Sequence, residues 1–125
     1  MDRRELGRAA EKLAADWLSS LGYRIIEHNY TCRYGEIDLI GRLGFMLIFI
    51  EVRCRRGSNF GTPAESVTKR KQCRLYRAAS FYISSKLGPS GWQVPFRFDL
   101  VEISLHDGRI HLNLLENCLE RGVGL

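Results

Sequence analysis

Four charged residues, Glu36, Asp38, Glu51 and Arg53, stand at the open end of a largely apolar stretch, GEIDLIGRLGFMLIFIEVR, running from Gly35 to Arg53. The middle of that stretch is apolar enough to be buried, so its charged end is either a wet surface or a site. Side chains alternate faces along a hairpin, and register decides which of them meet. With Gly41 paired to Met46 across the loop Arg42 to Phe45, Ile37, Leu39, Met46, Ile48, Ile50 and Val52 share an apolar face. Ile40, Leu47 and Phe49 then lie on the other face with Glu36, Asp38, Glu51 and Arg53, Glu36 opposite Glu51 and Asp38 diagonal to it. Like charges placed that way destabilise a sheet. Two partners can offset them: the Arg53 guanidinium, or a divalent cation such as Mg²⁺, which takes one or two carboxylates and fills its shell with water and phosphate oxygens.

The elements that hold these residues follow from periodicity. Leu6, Ala10, Leu13, Trp17 and Leu21 recur at helical spacing and Gly22 supplies a stop, which predicts an amphipathic helix from Arg3 to Leu21. Tyr23 to Tyr34 reads as a strand, followed by the hairpin. Thr62-Pro63-Ala64-Glu65 joins a capping hydroxyl, a first-turn proline and a glutamate able to reach back, so a second helix is predicted from there to about Leu87. Phe96 to Leu105 and Ile110 to Leu115 read as further strands. After three antiparallel strands, the second helix serves as a crossover that returns the chain parallel to the third. Glu11 borders the stripe of the first helix beside Ala14 and Leu18, where it can lean towards the strand ends; a surface acid beside Arg8 and Lys12 is the plainer reading. Lys71 falls inside the stripe Ala64, Val67, Leu75, Ala78 and Tyr82, where a charge is costly unless its head reaches water or an acid. It either snorkels out or points along the sheet towards the carboxylates. Asp99 reads as an ion-pair partner of Arg97 or a loop-end acid.

Composition bounds the rest. A chain of 125 residues is expected to form a single domain with a core of its own. Its longest apolar run, Phe45 to Ile50, falls far short of the roughly 20 residues of a membrane-spanning helix. No charged-then-apolar leader opens it, so a soluble, cytoplasmic protein without a membrane partner is expected. Cys32, Cys54, Cys73 and Cys118 lack C-x-x-C spacing and nearby histidines, as reduced thiols do. The net charge of +5 is uneven: Arg53 to Arg77 holds eight basic residues against one acid, a net +7, which leaves −2 for the other residues. One basic segment on an acidic body fits a phosphate backbone. The candidate contacts are Arg55, Arg56, Lys69, Arg70, Arg74 and Arg77. A solvated helix face, or a docking surface for an acidic protein, fits the same charge, and self-association stays open.

GEIDLI followed by a strand ending FIEVR resembles the D and E-x-K elements of the PD-(D/E)xK restriction-endonuclease-like nucleases. The chain from GRAAEKLAADWLSSLGY through FGTPAESVTKRKQCRLYRAASFYI to RFDLVEI is similar to the small bacterial YraN-like family, itself similar to archaeal Holliday-junction resolvases. The resemblance implies an α/β fold in the order α-β-β-β-α-β with a mixed central sheet. It also implies a Mg²⁺- or Mn²⁺-dependent endonuclease acting on DNA, branched or single-stranded DNA included. By that resemblance Asp38 and Glu51 match the metal-binding acids, Glu11 falls where resolvase-like families keep an acid on the first helix, and Arg53 falls where the nuclease motif has lysine. A guanidinium stays protonated and cannot be a base. Arg53 would therefore stabilise charge developing on the phosphate, and water activation would fall to the metal. Lys71 completes the expected catalytic set of Glu11, Asp38, Glu51, Arg53 and Lys71. The arginine equally suits a nucleic-acid-binding domain on the same fold without turnover.

Overall fold

The computed structural model describes residues 2–56 and 68–118, the side chains of Arg55, Arg56 and Trp92 apart. Asp2 caps the first helix, α1 (Arg3–Ser20), by accepting the Glu5 N–H at 2.8 Å, and so satisfies one of the free donors of the first turn. Gly22, at φ 99°, turns the chain out of that helix. Strands β1 (Arg24–Cys32), β2 (Gly35–Leu43) and β3 (Met46–Arg56) follow, then helix α2 (Lys69–Tyr82), a π turn over Ile83–Leu87, a 3-10 turn over Pro89–Gln93, and strands β4 (Phe96–His106) and β5 (Arg109–Leu115). The sheet order is β1-β2-β3-β4-β5. Among the described strands only the β3–β4 pair is parallel, as the α2 crossover predicts. Thr68 caps α2, accepting the Lys71 N–H at 3.2 Å. The helix start predicted at Thr62 to Glu65 lies outside the described residues. None of the described helices is long and apolar enough to cross a membrane.

The helices cover opposite faces of the sheet. Ala10, Ala14, Ala15 and Leu18 of α1 pack on Leu39, Ile48, Ile50, Val101 and Ile103, whereas Leu75, Ala78, Ala79 and Tyr82 of α2 pack on Ile37, Ile40, Leu47, Phe49, Phe98 and Leu100. The buried line of α1 is rotated from the expected one. Ala14 and Leu18 are fully buried while Leu6 and Leu21 are exposed, because the alanines let the helix settle close on the sheet and the bulkier Leu13 and Trp17 pack at its flanks. Glu11, one turn from Ala14, is thereby drawn to the sheet side.

The hairpin also departs from its expected register. Gly41 pairs with Ile48, not Met46, and Leu43 pairs with Met46. Gly44, at φ 63°, occupies the first position of a two-residue turn, and this lets Arg42 and Leu43 join the ladder instead of forming a loop. The shift sets Asp38, rather than Glu36, level with Glu51. Nor do Ile37 and Leu39 share a face: Ile37 packs in the α2 core and Leu39 in the α1 core. Both strands of the β1–β2 pair turn over here. The ladder pairs His28 with Leu39 and Tyr30 with Ile37 but skips Asn29 and Asp38. Asn29 takes φ 51°, a conformation asparagine tolerates better than most residues.

A buried polar knot ties the C-terminal segment to this frame. Asp99, 1% exposed, accepts from Tyr23 Oη at 2.9 Å, Arg97 Nε at 3.0 Å and the Asn117 N–H at 2.9 Å. Burial, and then the bond to Asp99, push the Tyr23 phenol up to about 12. The ion pair with Arg97 is the one read from the sequence. Asp99→Ala leaves a mostly buried guanidinium and a phenol without their shared acceptor, so urea unfolding should show a loss of about 3 kcal/mol. Asp99→Asn should lose less, because it keeps an acceptor oxygen.

Candidate functional site

Asp38 marks the place where β2 and β3 cease to be a ladder. Their last backbone pair is Leu39 with Ile50, and beyond it the Val52 N–H donates to Asp38 Oδ2 at 2.8 Å. A carboxylate thus replaces a backbone carbonyl as acceptor. Because Ile37 faces α2, its neighbour Glu36 faces α1, where Glu11 stands. Carboxylate oxygens of Glu11, Glu36 and Asp38 all lie within 4.8 Å of one another. Glu36 is exposed, Glu11 and Asp38 half-buried.

Confinement raises the proton affinity of Asp38 and Glu11. Asp38 is pushed up to about 8, first by desolvation and then by the charge of Glu51, with the Val52 N–H pulling the other way. Glu11 is raised by burial, which a hydrogen bond with Asn29 opposes and the charges of Glu36 and Glu51 reinforce. Three carboxylates at this spacing could hold a metal ion, and their hard oxygens favour a hard one. A cation there would offset the carboxylate repulsion that adds to the effect of burial on Asp38 and Glu11.

Glu51 is held differently. It is buried, projects on the α2 face, and receives Lys71 Nζ at 2.6 Å. Lys71 therefore points along the sheet to the carboxylates and does not snorkel away. Arg53 Nε stands 3.5 Å from the same Glu51 oxygen but makes no hydrogen bond among the described residues. The structure thus gathers Glu11, Asp38, Glu51, Arg53 and Lys71 at one end of the sheet, and adds Glu36 and Asn29. The sequence flagged Glu36 only as a charge on the hairpin, because the assumed register set it against Glu51. Nothing in the sequence pattern pointed to Asn29. Lys69, Arg70, Arg74 and Arg77 are exposed on α2. The side chains of Arg55 and Arg56 lie outside the described residues.

A mixed five-stranded sheet between two helices, with acids from α1, β2 and β3 gathered where two strands part, defines an α/β domain with a candidate cation site. Comparison with known proteins agrees with the family read from the sequence and assigns no activity. The chain belongs to the uncharacterised protein family UPF0102, which residues 10–103 match. It is 48% identical to a UPF0102 protein of Symbiobacterium thermophilum over 91% of this chain and 95% of that relative. It is 47% identical to one from Moorella thermoacetica over 84% of this chain and 85% of the relative, and 44% identical to one from Nocardia farcinica over 86% and 82%.

The raised Asp38 has a consequence for folding. The folded chain holds this proton more tightly than the unfolded chain, so between about pH 4 and 8 the folded state binds more protons and stability falls as pH rises. In EDTA at pH 8, Asp38→Asn should be the more stable protein by about 1 kcal/mol or more, and the gap should close towards pH 4. Urea unfolding across that range measures it; a gap that does not change with pH would count against a buried, protonatable Asp38.

Proposed function

We propose that the protein is a Mg²⁺- or Mn²⁺-dependent endonuclease that hydrolyses DNA phosphodiester bonds. The convergence of Glu11, Glu36 and Asp38 beside a Glu51 held by Lys71 carries this reading. The resemblance to PD-(D/E)xK nucleases supports it, and so does the line of exposed basic residues on α2. Glu11, Glu36 and Asp38 would hold the ion, with Glu51 at its border. The bound ion would supply Lewis-acid activation of water and neutralise phosphate charge.

The chain's own cations divide the remaining work. The ammonium of Lys71 spends one N–H on Glu51 and keeps two for nonbridging phosphate oxygens. Arg53 offers a buried Nε donor without a hydrogen-bond partner among the described residues, which a phosphate oxygen would satisfy. Lys69, Arg70, Arg74 and Arg77 bind the flanking backbone and set position, not sequence. A second reading, a DNA-binding domain without turnover, draws on the same Glu51: its charge is already matched by Lys71 and Arg53.

Labelled duplex, single-stranded and four-way-junction DNA incubated with Mg²⁺, Mn²⁺ or EDTA separates the two. Cleavage with either metal and none in EDTA is expected. Asp38→Asn and Lys71→Ala should each lose on the order of 10² or more in rate while still binding DNA, and Arg53→Lys should keep part of the activity. A folded Asp38→Asn protein that cuts at the wild-type rate would overturn the assignment, and a wild type inert with both metals would favour the binding domain.

The basic face has its own measurement. Each phosphate contact contributes about −0.9 to the slope of log K against log salt on duplex DNA. Replacing both Lys69 and Arg70 with alanine should flatten that slope by up to about 1.8. An unchanged affinity and slope would place the footprint elsewhere.

A further inference from the structure

A second feature lies along α2, away from the acids. Tyr34, Tyr76, Arg77, Ser80, Phe81 and Ser84 line an open groove of about 550 Å³ between the β1–β2 turn and the helix. Its floor is aromatic. Tyr76 stacks on Phe98 with ring centres 6.0 Å apart, and Tyr34 meets Phe81 edge-on at 5.9 Å. The rim is cationic: the Arg33 guanidinium sits 4.9 Å from the Tyr34 ring centre and 5.7 Å from that of Phe81, and Arg77 is exposed. No carboxylate stands among the described lining residues. Aromatic rings that stay half-exposed beneath arginines are a poor surface for a monomer in water and a good one for a flat, π-rich, anionic ligand.

The groove is joined to the candidate site by α2 itself. Lys71, which bonds Glu51, and Arg77, which lines the groove, are six residues apart, about 9 Å along a helix. That is the reach of about two to three nucleotides at the duplex spacing of 3.4 Å per residue of strand, and of fewer in an extended single strand. Exposed Arg70, Arg74 and Arg77 recur at i, i+4 and i+7 and so line one side of the path.

We infer that this groove binds an unpaired base of single-stranded DNA, stacking it on the Tyr34–Phe81 wall while Arg33 and Arg77 take the adjoining phosphates. This deepens the nuclease reading by naming the substrate class, and it rests on that reading only for the identity of the polymer. In the free protein Arg33 covers the rings. An exposed cation–π pair is weaker than base–aromatic stacking. The guanidinium therefore yields its place to a base and remains beside it for the phosphate. A paired base cannot enter, because its faces are covered by its neighbours in the duplex.

The test is binding in EDTA, where cleavage plays no part. Fluorescence anisotropy compares a labelled oligothymidylate of about 12 nucleotides with a duplex of the same length. Tyr34→Ala should weaken the single strand at least about fivefold, the lower bound for losing one stacked base, with duplex affinity changing less than twofold. Tyr34→Phe should restore wild-type binding. Ser84→Glu sets a negative charge at the groove wall on an exposed residue, outside the core, and should weaken the single strand alone as well. If Tyr34→Ala and Ser84→Glu both bind single strand and duplex as the wild type does, the groove is not a base site, whatever the protein cleaves. Selective loss in these variants sustains the groove even if the wild type proves inert towards every DNA with metal.

Discussion

The hydrogen bond from the Val52 N–H to the Asp38 carboxylate is the constraint on which the rest of the site depends. A backbone donor inside a sheet must find an acceptor, and β2 stops providing carbonyls to β3 after Leu39. A side chain fills the gap, which fixes the position of Asp38 and strips water from it. Strands that part at this point are free to turn over. β2 does so between Ile37 and Leu39, and β1 follows through the left-handed backbone of Asn29. Glu36 therefore swings to the α1 face and meets Glu11, and Asn29 is left in place to bond Glu11. One break in a ladder accounts for the meeting of three elements.

Two ways of handling buried negative charge sit side by side. Glu51 is neutralised by protein, through Lys71 at 2.6 Å and Arg53 at 3.5 Å. Glu11, Glu36 and Asp38 stand close together, and burial first, then repulsion from neighbouring carboxylates, makes Glu11 and Asp38 hold their protons more tightly than ordinary carboxylates. Such repulsion costs stability, and a fold built for stability alone would replace one of these acids. Its persistence at one end of the sheet beside a lysine and an arginine is the physical sense in which the arrangement resembles a site more than a surface.

Periodicity carried the sequence reading a long way. The order of elements, the parallel return of β4 and the pairing of Arg97 with Asp99 were all legible, because each depends on local patterns or on neighbours two residues apart. What failed was the assumption of unbroken alternation. It put Ile37 and Leu39 on one face and Glu36 opposite Glu51, since no pattern of residue types announces that a carboxylate will stand in for a carbonyl. The turn failed for a smaller reason: Gly44 permits a tighter hairpin than the loop Arg42 to Phe45. On α1, large residues were given more weight than small ones, whereas close packing favours the face where Ala10, Ala14 and Ala15 let backbones approach. Lys71 was legible as an anomaly, a charge within an apolar stripe, but only the fold shows which acid it seeks.

Topology explains why that acid is Glu51. α2 belongs to a crossover between parallel β3 and β4, so its first turn comes next to the end of β3 that carries Glu51 and Arg53. Lys71 lies in that first turn, where the capped N-terminus of the helix adds partial positive charge of its own. From there the helix runs back across the sheet, so its inner face must be apolar, as Leu75, Ala78 and Tyr82 are, while its outer face is free to carry Arg70, Arg74 and Arg77. The same crossover that closes the core thus sets one lysine inward at the acids and a row of arginines outward. A polymer with a phosphate at every step can touch both at once, whereas a small acidic ligand held by Lys71 would leave that outer row unused.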